Sequence, residues 1–196
     1  MTTAGPNSPS TIVDAAGVGS RTWSNPGSAA SQNDTYASVS GGSSAGPFTS
    51  RWLKCTGFGF SIPGGSTIDG IKVEIDRYKV EDFGTTSDSA LRLVRAGTIE
   101  SANHSSPGDW QDGSDTNTYD VIGGPADKWG ASWSPSDIND SGFGFAMSVT
   151  LGKQDVAYVD HVRMTVTYTA ASGGIFTVTS CVGIGCTGPK NFVRLD

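Results

Sequence analysis

The stretch Gln154–Thr169, QDVAYVDHVRMTVTYT, alternates its side chains with period two over most of its length. That is the pattern of a long β-strand, in which successive side chains leave opposite faces. It sets Val156, Tyr158, Val162, Met164, Val166 and Tyr168 on one face, and Ala157, Val159, His161, Arg163, Thr165 and Thr167 on the other. Just before it, Phe143, Phe145, Met147, Val149 and Leu151 form a second period-two apolar face. Two matched strands joined by a short turn predict a hairpin through Gly152–Asp155.

The same pattern continues outward. In Trp52–Ile62, Phe58, Phe60 and Ile62 share a face, with Gly57 and Gly59 opposite, where a bulky neighbour is expected to approach. Ile68–Val80 turns Ile71, Val73 and Ile75 inward and Lys72, Glu74 and Asp76 outward. Ala90–Ala96 does the same with Leu91 and Leu93 inward and Arg92 outward. Asn33–Val39 and Tyr119–Ile122 are shorter strands, and Ser101–Thr118 reads as a polar surface excursion. A single helical turn is expected in SPSDIND, with Pro135 at its first position and Ser134 or Ser136 as cap. Many strands, turn signals between them and no helix of ten residues define an all-β protein, an antiparallel β-sandwich or jelly roll.

The sandwich is expected over residues 31–170. Residues 1–30 are rich in Thr, Ala, Gly, Pro and Ser and read as an extended N-terminal arm, anchored by Ile12, Val13 and Trp23. AASGG at Ala170–Gly174 breaks the alternation, and residues 171–196 read as a C-terminal docking tail anchored by Ile175, Phe176, Phe192, Val193 and Leu195. Both arms are expected to be ordered by partner chains.

Composition narrows the function. The chain has 196 residues, a formal net charge of −6, 27 glycines and only 16% charged residues, against about 25% in ordinary chains. No Lys/Arg cluster offers a phosphate-tracking surface, so nucleic acid is not an expected partner. No apolar run reaches the ~18 residues of a membrane span. The N-terminus has neither the basic start nor the apolar stretch of a secretory signal, so synthesis in the cytosol is expected. Cys55 sits in a strand pattern and reads as a small core residue. Cys181 and Cys186 are expected as free thiols, with a 181–186 bridge as the alternative and a metal site disfavoured for want of soft ligands.

Candidate chemistry is sparse. Asp160 lies within an apolar face, and a buried carboxylate must find donors. Backbone N–H groups or an arginine at a strand irregularity are the expected donors, calcium the lesser alternative, and an acid–base pair with His161 the least. Asp109, Asp112, Asp115, Asp120 and Asp127 lack EF-hand spacing and read as a solvated loop. Trp110, Trp129 and Trp133 read as plugs closing the sandwich ends or, alternatively, as a sugar-stacking platform. No serine lies in a G-x-S-x-G elbow. No catalytic residue, cofactor or metal ligand is therefore assigned, and an enzyme is not expected.

Four segments carry a resemblance: CTGFGFSIPGGSTIDGIKVEI (Cys55–Ile75), SDSALRLVRAGTI (Ser87–Ile99), DKWGASWSPSDINDSGFGFAMSV (Asp127–Val149) and AYVDHVRMTVTYT (Ala157–Thr169). Together they resemble small β-sandwich structural proteins of tailed bacteriophages, over roughly residues 30–170. The resemblance implies a non-enzymatic virion protein made in the host cytoplasm. Its foremost expected role is a capsid decoration or cement protein that bridges neighbouring capsid subunits. Its expected partners are the major capsid protein or tail proteins, together with further copies of itself. A tail or fibre-base component is the runner-up, and a carbohydrate-binding module for host adsorption is the reading from a different class.

Overall fold

In a computed structural model, residues 1–80, 84–106, 108–171, 177–178 and 190–191 are described. The strands are β1 (Thr2–Asn7), β2 (Thr11–Ala15), β3 (Ala37–Ser40), β4 (Phe48–Thr49), β5 (Trp52–Thr56), β6 (Thr67–Val80), β7 (Ser87–Arg95), β8 (Thr98–Ile99), β9 (Tyr119–Gly123), β10 (Gly144–Leu151), β11 (Val156–Thr169), β12 (Thr177–Val178) and β13 (Lys190–Asn191). The one α-helix among the described residues, α1 (Pro135–Asn139), begins where expected. Ser134 caps it in a reciprocal capping box with Asp137. No described helix is long and apolar enough to cross a membrane.

β1–β11 form two antiparallel sheets, and β12 and β13 form a separate pair. The first runs β1-β11-β6-β9, with β3 also on β11; the second runs β2-β5-β10-β7-β8, with β4 also on β10. Take β3 and then β5 to β11 as eight successive strands. The first sheet then holds numbers one, eight, three and six, and the second holds two, seven, four and five. That order is the jelly roll, two Greek keys folded face to face. The core lies between the sheets. Ile71, Val73, Ile75, Val162, Met164 and Val166 from the first sheet meet Leu53, Leu91, Leu93, Phe145, Met147, Val149 and Leu151 from the second, all essentially fully buried. Burying each such side chain contributes roughly 1.5–3 kcal/mol.

The expected hairpin of the last two long strands is not formed. β10 pairs with β4, β5 and β7, whereas β11 pairs with β1, β3 and β6. Their apolar faces are matched because they face each other across the core. Gly152–Asp155 is therefore a corner between sheets. It is held by the Gly152 N–H on Thr85 O (3.1 Å) and on the Asp155 carboxylate (3.1 Å). A four-residue link suits a hairpin or a corner equally well, so alternation alone could not separate them.

The faces of β11 also change sides partway along. The ladder with β6 slips between Val159 and His161, which makes Asp160 a bulge residue. Before the bulge Ala157 and Val159 point inward; after it Val162, Met164 and Val166 do. Val156 and Tyr158, expected with the core set, lie on the outer face. There the Tyr158 ring stacks on Tyr78 (4.8 Å, 9°), and Tyr36 meets both edge-on. Similarly, the strand expected over Trp52–Ile62 stops at Thr56. Gly57 and Gly59 take positive φ (73° and 65°), yet Phe58, Phe60 and Ile62 still reach the core. The close approach expected at the glycines occurs at Gly57, where a Cβ would lie 2.2 Å from Ser10 Oγ, and not at Gly59.

Residues 1–30 are no free arm. β1 extends the first sheet, with Thr2 opposite Tyr168, and β2 extends the second, with Ile12 opposite Cys55. A Gly/Ser/Thr/Pro-rich composition hides strands this short, because their hydrogen bonds come from the backbone and need few apolar side chains.

Candidate functional site

The N-terminal anchors expected to meet a partner are used within the chain. Ile12 packs against the core, Trp23 is buried with its indole N–H on Arg51 O (2.9 Å), and only Val13 is substantially exposed (39%). Ile175, Phe176, Phe192, Val193 and Leu195, like Cys181 and Cys186, lie outside the described residues. Cys55 is a buried free thiol, and that burial raises its pKa.

Trp110, Trp129 and Trp133 are buried to 5%, 1% and 8% exposure. Each places its indole N–H on an internal acceptor: Asp88 (3.0 Å), Ile71 O (2.9 Å) and Lys128 O (3.0 Å), respectively. They are plugs. A stacking platform needs an exposed ring face, and a buried indole with a satisfied N–H contributes to packing.

The polar chemistry gathers on the outer face of the first sheet, around the bulge. Asp160 is 1% exposed. Its carboxylate accepts the backbone N–H of Asn33 (3.1 and 3.3 Å to the two oxygens) and of Thr35 (3.2 Å). The expectation of backbone donors at a strand irregularity thus holds. The carboxylate pins the segment before β3 across the bulged strand. Oxygens of Asp34, Asp115 and Asp160 lie within 4.8 Å of one another. Burial, with Asp115 and Asp160 alongside, pushes the nearby Asp76 carboxyl up to about 6, against a hydrogen bond from Gln32 (2.6 Å) that favours the charged form. These carboxylates could hold a hard cation, but the donors identified around Asp160 and Asp76 are groups of the chain itself.

Next to them runs a directional chain of hydrogen bonds. The Tyr119 hydroxyl donates to Gln32 Oε1 (3.0 Å), and Gln32 Nε2 donates to Asp76. With that proton committed, Tyr119 Oη accepts from His161 Nδ1–H (2.7 Å), which leaves His161 Nε2 bare to accept from Ser8 Oγ (2.8 Å). Burial first, and then Arg163, hold the imidazole pKa below its ordinary value, so it is neutral near pH 7. A serine on a neutral imidazole is the contact a nucleophile and its base make. Acyl transfer also needs a substrate recess and oxyanion donors, and neither of the two clefts identified at the surface includes Ser8 or His161. Here the chain ties the β1–β2 link to β11, β9 and β6. The spacing Ser8…Tyr119…His161 carries no signal in one dimension.

The far end of the sandwich is ionic. Past Ile75, the inward positions of β6 are Arg77 and Lys79. Arg77 pairs with Asp88 and with Asp120 (2.7 Å) over the Trp110 ring (4.3 Å), and Lys79 pairs with Asp109. The acidic run expected as a solvated loop therefore supplies counter-ions to two inward cations. A third member, Asp127, meets His104 Nε2 at 3.0 Å. No protein-family model, curated protein or solved structure matches this chain.

Proposed function

We propose that the chain is a structural protein of a bacteriophage particle, acting without catalysis as a capsid decoration or cement protein that bridges neighbouring subunits. One observation carries this reading: the sandwich is already closed at Thr169. β11 is paired along one side by β6 and along the other by β3 and β1. Among the described residues, β12 and β13, which follow, pair with each other and with no strand of the two sheets. Among the described residues after Thr169, none adds a strand to either sheet, and in this reading the C-terminal tail, residues 171–196, meets a second body. The four segments that resemble phage β-sandwich proteins point the same way.

The mechanism is rigid support plus attachment. A tail residue that becomes ordered on binding loses ~1–2 kcal/mol of backbone entropy. Attachment then rests on several apolar side chains, such as Phe176 and Phe192, or on strand addition, multiplied by repetition over a shell. A truncation ending at Ala170 is expected to melt cooperatively at a midpoint close to that of the intact chain and to lose attachment to tail-bearing particles. Decoration by the truncated protein at the level of the intact one sinks the docking role. A label found on the tail rather than the head moves the assignment to a tail component.

A further inference from the structure

We propose that the cleft beside β9 binds a neutral sugar residue, through Asp120 and Gln111 beside the Arg77 guanidinium. The cleft has a volume of about 290 Å³, at the lower end of the ~300–1,000 Å³ of small-molecule sites. That is room for one sugar ring or two, and not for a long chain. It lies between the edge strand β9 and Ser106, Gly108, Asp109, Trp110 and Gln111 of the excursion from β8 to β9.

Charge decides the ligand class. Of the basic groups lining the cleft, Arg77 already carries Asp88 and Asp120 and His104 meets Asp127, while Lys79 just behind is paired with Asp109. Among the described residues, each basic group at the cleft already has an acidic partner, which disfavours a phosphate, sulfate or carboxylate ligand. What the cleft offers is acceptors. Asp120, 60% exposed at its side chain, has Oδ2 fixed by Arg77 Nε (2.7 Å), and among the described residues its Oδ1 has no donor. Among the described residues the Gln111 amide is held by long contacts of 3.3 Å to Ser114 and Thr116. A carboxylate locked by an arginine and a planar amide suit the paired hydroxyls of a sugar, whose O–H groups need acceptors and bring no net charge. Val121, 60% exposed, and Ile122 give the apolar rim that a sugar's C–H face requires. This is not the tryptophan platform expected from sequence. The Trp110 ring lies under the Arg77 guanidinium and serves to hold it.

The inference is independent of particle attachment, and its test uses the intact chain. The protein, labelled with ¹⁵N, is titrated separately with glucose, galactose, mannose and N-acetylglucosamine, and with lysine amide as a cationic probe. Amide shifts confined to residues 104–122, with a dissociation constant of ~1 mM or tighter for at least one sugar, are the expected result. Asp120→Ala, which leaves Arg77 on Asp88, and Gln111→Ala are each expected to weaken that binding at least tenfold with the amide spectrum otherwise kept. No shift with any sugar, shifts elsewhere, unchanged affinity in both variants, or saturation by lysine amide alone overturns the proposal.

Discussion

Replacing Asp160 by alanine tests whether the bulge is held by its carboxylate. The side chain is 1% exposed and takes two backbone N–H groups, those of Asn33 and Thr35, at 3.1–3.3 Å. Hydrogen bonds to a charged acceptor contribute ~1.5–3 kcal/mol each, and a stranded buried donor costs a similar amount. Two circumstances lower the sum. Asn33 and Thr35 are themselves exposed, so water replaces part of the loss. The Asp160 charge also repels Asp76, whose carboxyl is pushed up to about 6, and alanine relieves that repulsion. The expected net cost is ~1–3 kcal/mol, which for a chain of this size lowers the melting midpoint by roughly 2–4 °C per kcal/mol. Asp160→Asn keeps one acceptor oxygen and removes the repulsion, so it should lie within ~1 kcal/mol of the parent. Urea unfolding and calorimetry of the three proteins at pH 7 give the comparison. An alanine variant with an unchanged midpoint, or an asparagine variant as weak as alanine, refutes the reasoning.

Asp76 sets a pH dependence. Its folded pKa of about 6 lies above the ~3.9 of an unfolded aspartate. The folded state therefore binds the proton more tightly, and the stability this contributes is present below pH ~4 and lost as pH rises through 6. Asp76→Asn, which keeps an acceptor for Gln32, should gain on the parent steadily between pH 4 and 7 in urea midpoints; parallel profiles would contradict this. At Gly144, in the middle strand of the second sheet, a Cβ would lie 1.9 Å from Cys55 O. Gly144→Ala should therefore cost at least the ~1–3 kcal/mol of an overpacked core, and a melting midpoint within 2 °C of the parent would show that the two strands separate more easily than their pairing implies.

The class of the fold was legible because its longest strands alternate. β10 keeps one phase throughout, and β6 and β7 keep one over Ile71–Ile75 and Leu91–Leu93, where the inward residues follow from period two alone; irregularities at Asp69 and Ser89 shift the phase nearer their starts. Three things were not legible, each for a physical reason. The Asp160 bulge inverts β11 midway, and a bulge leaves no mark in the sequence beyond a polar residue in an apolar row. The partner of β10 was misassigned because a core-facing strand has the same face whether its mate lies beside it or across the interior. β1 and β2 were missed because backbone pairing at a sheet edge asks little of side chains. Of the candidate chemistry, the burial of Asp160 was readable from its position. The contacts of His161 with Ser8 and Tyr119, and the cleft at Arg77, join residues far apart in the chain and required the fold.

The pairing of Thr2 with Tyr168 has a consequence for synthesis. A ribosome adds ~5–20 residues per second, so β1 emerges about 10–30 seconds before the strand that will receive it. β3 and β6 wait on that strand too, since β11 is the neighbour of both. The first sheet therefore has no centre until the end of the sandwich is made: β6 has β9 on one side alone, and β1 and β3 spend that interval without their strand partner. Edge hydrogen-bonding groups recruit other chains. The polar, glycine-rich composition of the first thirty residues suits this interval: a segment that hid its strand character from the sequence reading also offers little for a neighbouring nascent chain to hold.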